Sequence, residues 1–318
     1  MIRLLYLSSF VFWLTLYQTC AAQSPDRRPI ERAIQFLSKE VPLWQKQNKC
    51  YSCHNNGDGA KALYLAKRAG YAVEPEVLRT TSAWLKRPES WQKNGGENEF
   101  SDKKLANIQF SSALLTASED RVALRTAARE LAKIQEIAGH WEIIETRQLG
   151  SPITYGNILS TVFATEVLIK AKRDEDTDRI AKSIAWLKQQ EPKNNFTAAA
   201  LLLGIHRLKI ENSAELNQQC LQQLRENQNQ DGGWGPYAIS QSENFDTAFV
   251  MMALHPFAKT EDQQMSITDG RKFLISEQLE DGSWLETTRP SGSESYAHWI
   301  STTGWVVQAL LMTETADH

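Results

Sequence analysis

Cys50, Cys53 and His54 fall within a polar stretch, Asn-Lys-Cys-Tyr-Ser-Cys-His-Asn-Asn-Gly-Asp-Gly at 48–59, in a chain that holds only four cysteines and six histidines. Thiols and an imidazole this close together serve redox chemistry, metal binding or covalent cofactor attachment. The order Cys-x-x-Cys-His is that of c-type haem attachment: the thiols reach two vinyl groups, and the adjacent histidine meets the iron from the same side. The spacing therefore predicts covalent haem c, with Cys50 and Cys53 as thioether anchors and His54 as proximal iron ligand. Three other chemistries use the same residue types. A thioredoxin-like pair opens a helix inside a βαβ pattern, which this sequence lacks. A zinc ion takes four tetrahedral ligands, and neighbouring Cys53 and His54 serve one ion awkwardly. A plain disulfide between Cys50 and Cys53 leaves His54 without a role.

The N-terminus bears on that choice. One early positive charge at Arg3, an apolar stretch from Leu4 to Tyr17 and small residues at Cys20-Ala21-Ala22 form a secretory signal pattern, so residues 1–22 are expected to be a cleaved signal peptide. The competing reading is an uncleaved anchor, but the apolar stretch falls short of the ~20 residues a spanning helix needs. The remainder, 23–318, is expected to be one exported domain, periplasmic or secreted, with no membrane span after cleavage. Haem c is attached outside the cytoplasm, so the two signs agree. Loss of Cys20 leaves Cys50, Cys53 and Cys220, an odd number that argues against a disulfide scaffold. Cys220 sits at a helix-buried position and reads as a packed thiol.

The chain is 42% hydrophobic and 23% charged, an ordinary globular composition, and its net charge of −3 gives no basic footprint for nucleic acid. What positions the cysteine loop is a repeat. Trp44, Trp91, Trp141, Phe196, Trp234 and Trp284 recur 38–55 residues apart. An amphipathic helical stretch precedes each aromatic, and a smaller stretch, apolar on more of its circumference, follows it. Outer helices carry a charged face and inner helices are apolar all round. Six such pairs predict an all-α fold, an (α/α)6 toroid of six helix hairpins, against the alternative of an open solenoid.

The segments "CLQQLRENQNQDGGWG" at 220–235 and "GRKFLISEQLEDGSW" at 270–284 resemble the Gln-Trp repeats of the terpenoid cyclase and protein prenyltransferase superfamily. Gln228–Trp234 and Gln278–Trp284 share an offset that Gln135–Trp141 repeats. The resemblance implies that the glutamine ties helix ends together and the tryptophan braces the next helix. The chemistry of that superfamily is not matched. Its cyclases protonate their substrate with Asp-x-Asp-Asp, which is absent; Asp174-Glu175-Asp176 reads as a solvated turn between units. Its prenyltransferases hold zinc with Asp, Cys and His, whereas Ala248 stands two residues after Asp246 where the thiolate is expected. Asp246 reads as an N-cap of the fifth inner helix. Tyr155, Phe245, Tyr296, Trp299 and Trp305 are candidate walls of a central apolar cavity. The stretch around Cys50–His54 further resembles exported planctomycete proteins whose Cys-x-Ser-Cys-His loop opens a cyclase-like toroid, which implies haem binding.

No methionine lies between Met1 and Met251, so the sixth iron ligand does not come from nearby methionine. In a closed ring unit 6 meets unit 1, and His298, expected in the loop ahead of the sixth inner helix, is the candidate distal ligand. A hydrogen-bonded loop histidine and an open sixth site are the competing readings. His140 should lie a third of the ring away, and His206 and His255 fall on inner helices. The function expected is electron transfer or haem-based redox with an unknown redox partner. The alternative is a toroid binding an apolar, isoprenoid-like small molecule, with the loop as a metal or disulfide clasp. A hydrolase or lyase would need paired carboxylates, for which Glu243 with Glu294 is the candidate pair.

Overall fold

The computed structural model describes residues 27–94, 102–143, 149–289, 292 and 294–314. The expected signal segment at 1–22, Cys20 included, lies outside the described residues. Those residues form twelve α-helices and no strand: α1 (Arg27–Asn48), α2 (Ala60–Arg68), α3 (Pro75–Leu85), α4 (Lys103–Ala117), α5 (Arg121–Lys133), α6 (Gly156–Ala171), α7 (Thr177–Lys188), α8 (Asn195–Leu208), α9 (Ala214–Glu226), α10 (Asn244–Leu254), α11 (Glu261–Ser276) and α12 (Tyr296–Met312). No described helix is long and apolar enough to cross a membrane.

Odd-numbered helices are the outer ring, and their patterning explains why. In α5 only Ala123, Leu124, Ala127, Ala128 and Leu131 are buried, with the arginines on the other face, and Asp120 caps its first turn by accepting the Val122 and Ala123 amides. The inner helices bury nearly every residue; α10 is buried along its whole length. Small residues set their spacing. A Cβ on Gly204 of α8 would come within 2.7 Å of Val162 on α6.

Each inner helix packs on the next, α2 on α4 and so on to α10 on α12, and α12 then packs against both α1 and α2. The described helices therefore form a closed α/α toroid of six hairpins. A solenoid would have left α2 and α12 at opposite ends.

One clasp, built three times, joins neighbouring units. Gln135 donates to the Gly139 and Arg179 carbonyls, Gln228 to those of Gly232 and Ser266, and Gln278 to those of Gly282 and Pro29. The indole N–H groups of Trp141, Trp234 and Trp284 donate to the carbonyls of Leu131, Leu224 and Leu274 at the ends of their own outer helices. Between them, Gly139, Gly232 and Gly282 hold φ values of +98°, +89° and +91°, and a Cβ at each would sit 2.6 Å from the backbone of the next outer helix. Only glycine meets both demands. The last clasp reaches α1 and closes the ring.

Of the five candidate cavity residues, Tyr155, Phe245 and Trp305 pack on one another across units 3, 5 and 6. Trp305 packs edge-on against Tyr155, Phe245 and Phe249, with centroids 5.5, 5.5 and 5.6 Å away. Tyr296 and Trp299 instead turn toward unit 1, on Trp44 and Phe36.

Gln278→Ala removes three side-chain hydrogen bonds, two donated to the Pro29 and Gly282 carbonyls and one accepted from Arg32, and a loss of about 1–3 kcal/mol is expected in urea unfolding. Gly282→Ala adds left-handed strain and a backbone clash, so the same measurement should show a loss of at least about 1–2 kcal/mol.

Candidate functional site

The stretch expected to be a polar loop is in large part helical and buried. Residues Cys53–Gly59 form a π-helical turn that runs directly into α2, and Asn55–Gly59 are fully enclosed. The polar loop expected at 48–59 is thus a short non-helical stretch at 49–52, half-exposed at Cys50 and Tyr51, followed by a helical turn whose far end, Asn55–Gly59, is covered by the closure of the ring. α12 passes so near that a Cβ on Gly304 would lie 3.1 Å from the Asp58 backbone. Ser52 caps the turn, its hydroxyl accepting the His54 and Asn55 amides. Tyr51 stacks on Trp84 at 4.4 Å, and the Asn94 side chain bonds both its amide and its carbonyl. Asn55 donates to the Glu40 carbonyl and to the Tyr296 hydroxyl, which tie the turn to α1 and α12. The backbone carrying both thiols is thus held at every second residue.

Cys50 and Cys53 are half-buried and not bonded to each other. Burial, with Asp58 nearby, pushes the Cys53 thiol up to about 12, so it stays protonated. The Cys53 Sγ lies 3.7 Å from His54 Nε2, while His54 Nδ1 meets Ser301 Oγ on α12 at 3.2 Å. Burial lowers His54 to about 4, helped by the charge of His298, so the ring is neutral at pH 7 and keeps a lone pair for a metal.

His298 occupies the first turn of α12, not the loop before it, where Ser295 caps the helix and meets His298 Nδ1 at 2.8 Å. Its Nε2 is buried with no hydrogen-bond partner. An orphaned imidazole nitrogen one helical turn from the serine that holds His54 fits an axial ligand. Among the described residues no three His, Cys, Asp or Glu side chains converge as a metal cluster. An iron already held by a porphyrin asks the chain for only one or two nitrogens. The two half-buried thiols and the neutral imidazole are the donors that thioether attachment and one iron–nitrogen bond would use. His140 stacks on Trp186 far from this turn.

Beneath His54 lies a cluster that the motif gave no hint of. Asp58 accepts Tyr155, Ser301 at 2.8 Å and Gln109 at 3.2 Å, and burial raises its carboxyl well above the usual range. Lys61, also wholly buried, donates to Ser112 at 2.9 Å and lies 4.3 Å over the Phe163 ring; burial lowers its ammonium. The one sequence sign was a pair of opposite charges three residues apart at the start of an otherwise apolar inner helix.

The carboxylates regroup. Glu243, not Asp246, is the N-cap residue of α10, and Asp246 lies inside the helix because its carboxylate pairs with Arg289. Glu243 joins the same arginine at 3.2 Å, so it pairs there and not with exposed Glu294. Burial, and then the Asp246 charge, raises Glu243. Glu243-Asn244-Phe245-Asp246 thus holds carboxyl groups at the first and fourth places of the Asp-x-Asp-Asp pattern and an aromatic ring at the third. Asp176 is not solvated but fully buried, 3.5 Å from Arg173.

The fold is a terpene-cyclase-like α/α toroid. Residues 194–298 match the model of the squalene-hopene cyclase C-terminal domain. Over 96 residues the chain is 30% identical to the lanosterol synthase ERG7 of Saccharomyces cerevisiae, a match spanning 29% of this chain and 13% of that protein. The type II terpene cyclase MstE from Scytonema superposes with a TM-score of 0.61 at 13% identity, covering 90% of this chain and 97% of that one. A protein from Actinoplanes superposes with a TM-score of 0.60 at 15% identity, covering 91% and 100%.

The depressed His54 sets a pH dependence for the chain without haem. Between its unfolded value of 6.5 and its folded value of about 4, only the unfolded state takes up the proton. Stability from this group is complete above pH 6.5 and lost as pH falls to about 4, on the order of 3 kcal/mol. Urea titrations at pH 7.5 and 4.5 should show a larger fall in wild type than in His54→Gln, because His206, His255 and His298, also lowered by burial, act in both.

Proposed function

We propose that the chain is an exported haem c-binding redox protein built on a cyclase-like toroid. Cys50 and Cys53 would hold the group as thioethers, His54 would bind its iron, and His298 would supply a second nitrogen ligand. When bound, the group supplies one-electron exchange with a redox partner. The observation that carries this reading is the state of His54: neutral at pH 7, held at Nδ1 by Ser301, with Nε2 facing only the Cys53 sulfur. The unpartnered, buried Nε2 of His298 supports a second axial nitrogen, and two imidazoles favour electron transfer over small-molecule chemistry. The signal pattern at 1–22 supports export to the periplasm or beyond, where such attachment takes place.

The work left to the protein is positioning. The Tyr51–Trp84 stack and the Asn94 clamp hold the backbone between the two thiols, and the π-helical turn carries the half-buried imidazole. A toroid that binds an apolar ligand is the second reading, favoured by a structural relative, a variant of MstE in complex with geranylgeranyl dihydroxybenzoate, and by the aromatic ring centre. A ligand there would have to displace Tyr155, Phe245 and Trp305, all at most 1% exposed.

Coexpression with a haem-attachment system should yield a red protein whose reduced α band survives denaturation. The tryptic peptide spanning Cys50 and Cys53 should carry the porphyrin mass, and Cys50→Ala with Cys53→Ala should abolish both. A colourless wild-type product sinks the proposal in favour of the apolar-ligand reading. His298→Ala should convert the oxidised spectrum from low to high spin; an unchanged spectrum removes His298 from the iron.

A further inference from the structure

His54 does not end the chain of hydrogen bonds that begins at its own Nδ1. Ser301 has one hydroxyl proton, and the Asp58 Oδ2 accepts it at 2.8 Å. The same oxygen atom of Ser301 faces His54 Nδ1 at 3.2 Å, so toward the imidazole it presents a lone pair. Nδ1 must then carry the ring proton. On the other side of the ring, Nε2 faces the Cys53 sulfur at 3.7 Å.

Asp58 is equipped to hold its end. The Tyr155 hydroxyl donates to Oδ1 and the Gln109 amide to Oδ2, so three donors from three inner helices, α4, α12 and the lead-in to α6, converge on one buried carboxylate. The buried ammonium of Lys61 lies one turn further along and favours its charged form. This is far more support than a structural carboxylate in a helix-to-helix turn requires. Every donor it collects orients Oδ2 toward Ser301.

We infer that Asp58 and Ser301 are positioning residues for His54, a carboxylate–hydroxyl–imidazole relay that fixes the Nδ1–H tautomer and leaves Nε2 as the electron-rich, metal-facing nitrogen. The relay extends the haem reading given above, because it names the residues that set the donor strength of the proximal ligand. A carboxylate behind a ligating imidazole raises the basicity of that ligand and stabilises the higher oxidation state of the metal. The relay is assembled only when the ring closes, since Asp58 belongs to unit 1, Ser301 to unit 6 and Tyr155 to unit 3.

Two measurements on the full chain test it. In chain expressed without haem attachment and labelled with 15N-histidine, the two His54 nitrogens should differ as an Nδ1–H tautomer does, and Ser301→Ala should draw their shifts together. In the haem-loaded protein, Ser301→Ala and Asp58→Asn should each raise the midpoint potential, and the double variant should add little to either single one. Unchanged nitrogen shifts in a Ser301→Ala variant with wild-type circular dichroism overturn the relay. So does a haem-loaded Ser301→Ala with wild-type potential, and that result leaves the haem reading standing. A colourless wild type whose His54 shifts still respond to Ser301→Ala does the reverse: the relay holds and the haem assignment falls.

Discussion

Gln278 donates an amide proton to the carbonyl of Pro29, 249 residues earlier in the chain, and on that seam the site depends. The same clasp joins units elsewhere in the ring, but here it brings the last outer helix to the first, and α12 comes with it. Trp44 then stacks on Tyr296, Tyr296 donates to Glu40, and Asn55 reaches both the Tyr296 hydroxyl and the Glu40 backbone. A turn that begins half-exposed at Cys50 is sealed from Asn55 onward. The ring closure turns a sequence motif into an oriented, half-buried imidazole.

Burial on this scale carries an electrostatic cost that the structure meets in a particular way. Asp58 and Lys61 are both wholly enclosed, and isolated charges in such surroundings are strongly disfavoured. Asp58 collects three donors; Lys61 takes one hydroxyl and the faces of Phe163 and Trp305. Burial drives the carboxyl up and the ammonium down, which narrows the gap between the charged pair and its neutral counterpart. His54 is simpler. It is neutral because burial, with His298 beside it, disfavours the charged ring, and a neutral imidazole is the form that binds metal.

The relation to the terpene cyclase structures is one of architecture. MstE and the Actinoplanes protein share the arrangement of helices at 13–15% identity, a level at which little but the packing frame is common. The frame tolerates this because its demands are few: small inner helices, a glutamine and an aromatic per clasp, a glycine at positive φ. In this chain Phe245 stands inside the carboxyl-bearing segment at the head of α10, and Trp305 packs against it from α12. The ring centre is consequently held together by edge-on aromatic contacts between units 3, 5 and 6.

Periodicity and spacing alone determined the all-α class, the twelve helices, their division into outer and inner, and the cysteine–histidine triplet, because each is a local pattern written within one turn or one helix. The clasp glutamines and tryptophans were legible for the same reason: their offset recurs. What only the tertiary structure decided is what meets across the ring. Ser301 behind His54, Gln109 and Tyr155 on Asp58, and Arg289 on Glu243 and Asp246 are contacts between residues some forty to two hundred and fifty positions apart. Asp246 looked like a cap and is an ion-pair partner; the second half of the polar stretch at 48–59 is a π-helical turn, Cys53–Gly59, buried from Asn55 onward. Both differences have one physical cause. Helix periodicity reports which face of an element is apolar, but the partner of a polar group is chosen by the closure of the ring, and no local pattern encodes it.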